Sequence, residues 1–281
     1  MKIRAGYEIS YECPQPTPMI LTLSVHPSRR ADLVTPDWMR LHPKVPVREY
    51  SDVFSNICQV IRAPAGLMTI ASDFVIEDSG RPDPIAPPSA QHSLDALPVE
   101  TLVYLLGSRY CEIDRLSEFA WSTFGGVPKG GALVQAICDF VHDEIAFGYE
   151  HANATRTAYE TLQERRGVCR DFAHLAVALC RCMNVPARYC TGYLGDIGIP
   201  PVPLPMDFSA WFEAYLGGRW YTFDARHNVP RVGRILIAHG RDATDVAMVT
   251  SFGPHKLVAF NVVTDEMKEE EVAFVRSGKV A

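Results

Sequence analysis

Apolar and polar residues alternate with a period of two at the start of the chain, with Ile3, Ala5, Tyr7, Ile9 and Tyr11 set against Arg4, Glu8 and Ser10. Met19, Leu21, Leu23 and Val25 repeat the pattern. Successive side chains of a strand point to opposite faces, so this alternation predicts strands with one buried face. Asn56–Arg62 and Leu67–Asp78 continue in the same style, and Ala63-Pro64-Ala65-Gly66 between them predicts a hairpin connection. Residues 1–80 therefore predict an antiparallel β-sandwich or barrel. The stretch from Gly80 to Ser89 carries prolines at 82, 84, 87 and 88 and predicts an extended linker, which puts the domain boundary there.

Beyond the linker the period changes. Leu133, Ala136, Ile137, Phe140 and Val141 follow the i, i+3, i+4, i+7, i+8 spacing of a helix that buries one stripe. Thr157–Arg165 has a similar helical composition and stops before Gly167. A third amphipathic helix runs from Cys169 through Phe172, Leu175, Ala176, Leu179, Cys180 and Met183 before Asn184 and Pro186 end it. Strands are predicted over 187–194, 209–216, 219–225, 246–251 and 257–263. The back half thus predicts a helix layer on an antiparallel sheet, and the class is α+β.

Composition narrows the function classes. The 281 residues hold 27 Lys+Arg and 33 Asp+Glu, a net charge of −6, with 47% hydrophobic residues. A chain this long and apolar can bury a large core. A net-acidic surface argues against nucleic-acid and anionic-membrane partners. No stretch reaches the roughly 18 apolar residues of a membrane helix, and the start lacks the apolar core of a signal peptide, so a soluble, cytoplasmic protein is expected. The eight cysteines are read as free thiols, most of them small buried hydrophobes. Cys180 and Cys182 point to different faces of their helix, which argues against zinc, and no cofactor is called for.

Cys169 is the most informative position. A thiol at a helix N-terminus faces unpaired backbone N–H groups and the positive end of the macrodipole, which favour the nucleophilic thiolate and could also hold an oxyanion. The plain alternative is a thiol packed under the Arg165-Arg166-Gly167 turn. The segment Ser209–Leu216, Gly217-Gly218, Arg219–Asp224 allows a register to be calculated. A two-residue loop pairs 216 with 219, so 209, 211, 213 and 215 share a face with 220, 222 and 224. Position 209 is then a diagonal neighbour of Asp224, about 7–8 Å away, a separation that an imidazole and a carboxylate would bridge. The residue there is Ser209.

These segments resemble a family. Gly167-Val-Cys-Arg-Asp-Phe-Ala-His-Leu175, with Asn184-Val-Pro-Ala-Arg-Tyr189 and Gly192-Tyr193-Leu194, is similar to the nucleophile motif of the bacterial transglutaminase-like cysteine proteases. Asp207–Tyr215 and Trp220–Ala225 resemble that family's other two motifs, normally centred on His and Asp. The resemblance spans about Leu133 to Pro254, and the front resembles the β-rich region often found with this core in bacteria. It implies a papain/transglutaminase-like core preceded by an antiparallel β domain, divided as 1–80, a linker with helices over 81–125, and the core over 126–281. It further implies an amide hydrolase or transamidase acting on a peptide or protein through a thioacyl intermediate, with Cys169 the nucleophile and Asp224 the orienting acid.

Ser209 falls where the family has its catalytic His, and a hydroxyl that does not titrate near neutrality cannot do that work. An impaired enzyme, or a non-catalytic peptide-binding module that keeps the cleft, follows from the residue as it stands. His174 lies five residues past Cys169 on the same helix, about 140° around its axis, and reads as a core residue. His227, three residues past Asp224, could fold back, its plain reading being a loop histidine. Trp211 is taken as a wall of the site and a candidate substrate contact. Asp171 is expected to favour the helix N-terminus, with Arg170 offsetting its charge near the thiol.

Overall fold

The computed structural model describes residues 1–87, 91–200 and 206–268. The front contributes β1 (Lys2–Cys13), β2 (Thr17–Leu21), β3 (Arg40–His42), β4 (Arg48–Ser51), β5 (Ile57–Ala63) and β6 (Gly66–Glu77). Then come α1 (Ile113–Phe124), α2 (Gly131–Glu144), β7 (Ala146–Phe147), α3 (Ala158–Glu164), β8 (Arg166–Gly167) and α4 (Cys169–Cys182). The chain continues through β9 (Ala187–Tyr193), β10 (Ser209–Leu216), β11 (Arg219–Phe223), β12 (Ile235–Gly240), β13 (Val249–Ser251) and β14 (Lys256–Glu266).

Two four-stranded sheets, in the orders β14-β1-β6-β3 and β13-β2-β5-β4, form the front. Ile3, Ala5 and Ile9 of the first and Met19, Leu21 and Ile61 of the second are buried in one core, which makes a sandwich. The 63–66 connection differs from expectation: β5 and β6 lie in different sheets, so it turns a corner of the sandwich and closes no hairpin. The last two strands also differ. Expected in the back sheet, β13 pairs antiparallel with β2 and β14 with β1, each completing a front sheet from the far end of the chain. Lys268 is described, but the three glutamates that follow it, Glu269, Glu270 and Glu271, lie outside the described residues, as do residues 88 and 89 of the expected linker.

The back sheet is antiparallel in the order β11-β10-β9-β12. Phe212, Ala214 and Leu216 of β10 bury one face against α4, whose Phe172, Leu175, Ala176 and Leu179 also meet the apolar stripes of α1 and α2. The opposite face meets the sandwich, where Tyr193, Ile235 and Ile237 join the front core. A half-buried sheet needs a layer on each apolar face, and the helices and the sandwich are those layers. Among the described residues no helix is long and apolar enough to cross a membrane.

Candidate active site

Three local devices set the site. Gly167 precedes α4 where a Cβ would stand 2.6 Å from the Cβ of Asp171, so only glycine lets that side chain fold back. Asp171 Oδ2 then accepts from the Val168 N–H at 2.9 Å and from Arg156 Nη1 at 3.1 Å, satisfying donors at the helix start. Cys169 follows as the first helical residue. Arg170 donates to the Ala154 and Arg156 carbonyls, and its Nε stands 3.9 Å from Asp171 Oδ1, so its charge offsets that carboxylate as expected. Gly217 and Gly218 both take positive φ, 56° and 86°, the requirement of the tightest hairpin turn. Leu216 pairs with Arg219 and Phe212 with Phe223, which is the register calculated from the sequence.

That register puts Ser209 at the start of β10, opposite Gly192 of β9, and Asp224 just past the end of β11. The backbone N–H of Ala210, one residue from Ser209, faces the Cys169 sulfur closely enough to favour its thiolate. Burial pushes the Cys169 thiol up to about 11; the Arg226 charge and the Ala210 N–H pull it down, while Asp207 and Asp224 add to the rise. The helix-terminus argument led to the opposite expectation, a lowered pKa. Desolvation here outweighs both the dipole and the Arg226 charge. The Ser209 side chain is buried, and its Oγ has no hydrogen-bond partner among the described residues.

Asp224 is the most heavily bonded side chain of the site. Its Oδ1 accepts from the backbone N–H groups of Arg226 and His227 at 3.1 and 3.0 Å. Its Oδ2 meets His227 Nδ1 at 2.9 Å and Arg234 Nη2 at 2.8 Å. Burial works to raise its pKa, yet Arg234 and the His227 donors outweigh it and hold the carboxyl well below the usual carboxylate range. Arg234 also donates through Nε to Asp83 at 2.8 Å, so the proline-rich segment expected as a spacer supplies a carboxylate beneath the site.

Tyr149, Asp207, Ser209, Arg226 and His227 line one cavity of about 140 Å³. Trp211 is not among its walls. It is buried, with the Arg234 guanidinium over its ring at 5.0 Å, and it borders a separate cavity with Thr222 and Arg231. His174 is buried, its Nε2 accepting from the Ala243 N–H at 3.1 Å between the rings of Tyr110 and Tyr189. Among the described residues no three His, Cys, Asp or Glu side chains gather as a metal site. Sequence reasoning missed Asp83, Arg234, Arg226 and Asp207. Asp83 meets Arg234 across 151 residues and leaves no local signal, and Arg234 lies beyond the recognised motifs, whereas Asp207 opens one of them and Arg226 directly follows another.

Several known proteins are similar to this chain. A profile of the transglutaminase-like superfamily matches residues 118–225, which include α4, β10 and Asp224. An uncharacterized protein of Mycobacterium leprae is 38% identical over 91 residues, a match spanning 31% of this chain and 32% of that relative. The crystal structure of a candidate cysteine protease from Cytophaga hutchinsonii superposes with a TM-score of 0.82 at 28% identity, covering 95% of this chain and 91% of that one. Residues 118–225, from α1 to the end of β11, thus match the transglutaminase-like superfamily, within a fold shared with the candidate cysteine protease over most of the chain, front sandwich included.

Proposed function

We propose that the protein is a cysteine-dependent amide hydrolase or transamidase acting on peptide or protein substrates through a Cys169 thioacyl intermediate. The observation that carries this reading is the placement of Cys169 as the first residue of α4, facing the start of β10, with Asp224 held ionised close enough to act on it. The N–H groups of the first turn of α4 are oriented to receive the oxyanion of a tetrahedral intermediate. Attack by sulfur on the carbonyl forms the S–C bond, the C–N bond breaks with a proton going to the leaving amine, and water or a second amine takes the acyl group. The candidate cysteine protease similar over most of the chain supports the same chemistry. A cytoplasmic setting, where thiols stay reduced, suits the eight free cysteines.

Ser209 and the high thiol pKa favour a second reading, a cleft that binds a peptide without cleaving it. p-Nitrophenyl acetate separates the two. The catalytic reading predicts a rapid release of one nitrophenolate per chain, abolished by Cys169→Ala. Absence of the burst, or a burst unchanged in Cys169→Ala, leaves only the binding reading.

A further inference from the structure

We propose that His227, on the loop after β11, supplies the imidazole that the resembling motifs place at position 209, so that the acid–base pair of this site is His227 with Asp224. This rests on the reading of Cys169 as the nucleophile. A working base in such a site needs three things: a carboxylate that fixes its tautomer, a ring nitrogen left free, and a place beside the thiol.

The first is present in the bond from His227 Nδ1 to Asp224 Oδ2 at 2.9 Å. With Nδ1–H donated to the carboxylate, Nε2 carries the lone pair that can accept a proton. The loop is built to hold this pose. Asp224 Oδ1 takes the N–H groups of residues 226 and 227, and the Asp224 carbonyl accepts from the Asn228 N–H at 2.7 Å, which folds the chain back so that the ring returns to the carboxylate three residues before it. His227 therefore makes from the loop the bond that a histidine at 209 would make from the strand.

The cavity bears on the remaining two. His227 and Ser209 line the same space of about 140 Å³ together with Arg226 and Asp207, whose charges act on Cys169. The His227 side chain is 22% exposed, so solvent and a substrate can reach it. Two imidazoles could not both take Asp224 Oδ2, which Arg234 already shares. A serine at 209 leaves that oxygen and the adjoining volume to His227, and the loss at one position and the gain at the other are complementary.

His227 Nε2 takes the sulfur proton as the S–C bond forms, passes it to the leaving amine as the C–N bond breaks, then takes a proton from the attacking water. Breakage of the S–C bond returns that proton to sulfur. The charged and titratable groups around the ring are Asp224 and Arg226 of its own loop, Arg231 before β12, Asp207 before β10, Asp196 after β9 and Tyr149 after β7.

The test is the rate of iodoacetamide alkylation at Cys169 against pH, resolved by peptide mass spectrometry, together with nitrophenyl acetate turnover. The unaltered chain, His227→Gln, His227→Ala and the double variant Ser209→His/His227→Gln are compared. The proposal expects, for the unaltered chain, a rate inflection at a pH well below that of the buried thiol itself. It also expects loss of that inflection and a turnover drop of about 10²-fold or more in His227→Gln. Added imidazole should rescue His227→Ala, and the double variant should recover activity in part, neither of which a merely structural histidine would give. An unaltered chain with no inflection overturns the proposal even if the variants fail to fold. A His227→Gln chain that keeps both profile and turnover, with Cys169→Ala still inactive, overturns His227 while leaving the thiol reading intact. No turnover in any form, including the unaltered chain, overturns the thiol reading instead.

Discussion

Replacing Asp224 by asparagine should reveal how much the site depends on its buried charges. The carboxylate is 3% exposed and its partner Arg234 7% exposed, so both charges are shielded from water. Removing one partner of a buried ion pair costs about 3–5 kcal/mol, because the other is left without compensation. Here Asp83 still faces Arg234 at 2.8 Å, and an amide oxygen can still accept from the Arg226 and His227 N–H groups, which points to the low end, about 3 kcal/mol. For a chain of this length that is a fall of about 5 °C in Tm. Urea and thermal denaturation of Asp224→Asn, Arg234→Met and the double variant would measure it. The double variant should be more stable than the sum of the single losses predicts, by about 1 kcal/mol or more, since it leaves neither charge stranded. The pH dependence has a definite sign. Asp224 ionises more readily folded than at its ordinary value of 3.8, so its contribution is complete above that pH and fades as pH falls below it. The gap between the unaltered chain and Asp224→Asn should therefore close in acid. A loss under 1 kcal/mol at pH 7, or strict additivity, would refute the buried-pair argument.

Gly167→Ala should lower Cys169 alkylation and ester turnover by about tenfold or more, because its Cβ would press on Asp171 and shift the start of α4; turnover within twofold of the unaltered chain would contradict this. Burial and the Arg188 charge push His239 down to about 3, so the folded state resists its protonation and stability should be lost as pH falls from about 6.5 toward 3. His239→Gln should flatten that slope in urea titrations between pH 4 and 7, and an unchanged slope would refute it.

What was legible in the sequence was local. Gly217-Gly218 dictates its own turn, so the pairing of β10 with β11 could be calculated residue by residue. The start of α4 at Cys169 followed from apolar spacing and the glycine before it. Alternation, by contrast, says that a strand has one buried face and nothing about its partner. β13 and β14 were therefore read as strands but assigned to the wrong sheet, and the apolar run Ile235–Gly240 of β12 carried no period to mark it. The thiol failed for a related reason. A helix dipole is visible in sequence, but the desolvation that opposes it at Cys169 exists only once α4 is packed against β10. Arg234 and Asp83, which neutralise and anchor the buried carboxylate, come from segments whose sequence shows only a strand edge and a proline-rich stretch.

The central claim is that Cys169 carries an acyl group. Intact-mass and peptide mass spectrometry after acid quench of a short reaction with p-nitrophenyl acetate addresses it directly. The account predicts one acetyl adduct per chain, located on Cys169 and absent from Cys169→Ala. No adduct at Cys169, or acetylation confined to other residues, would contradict it.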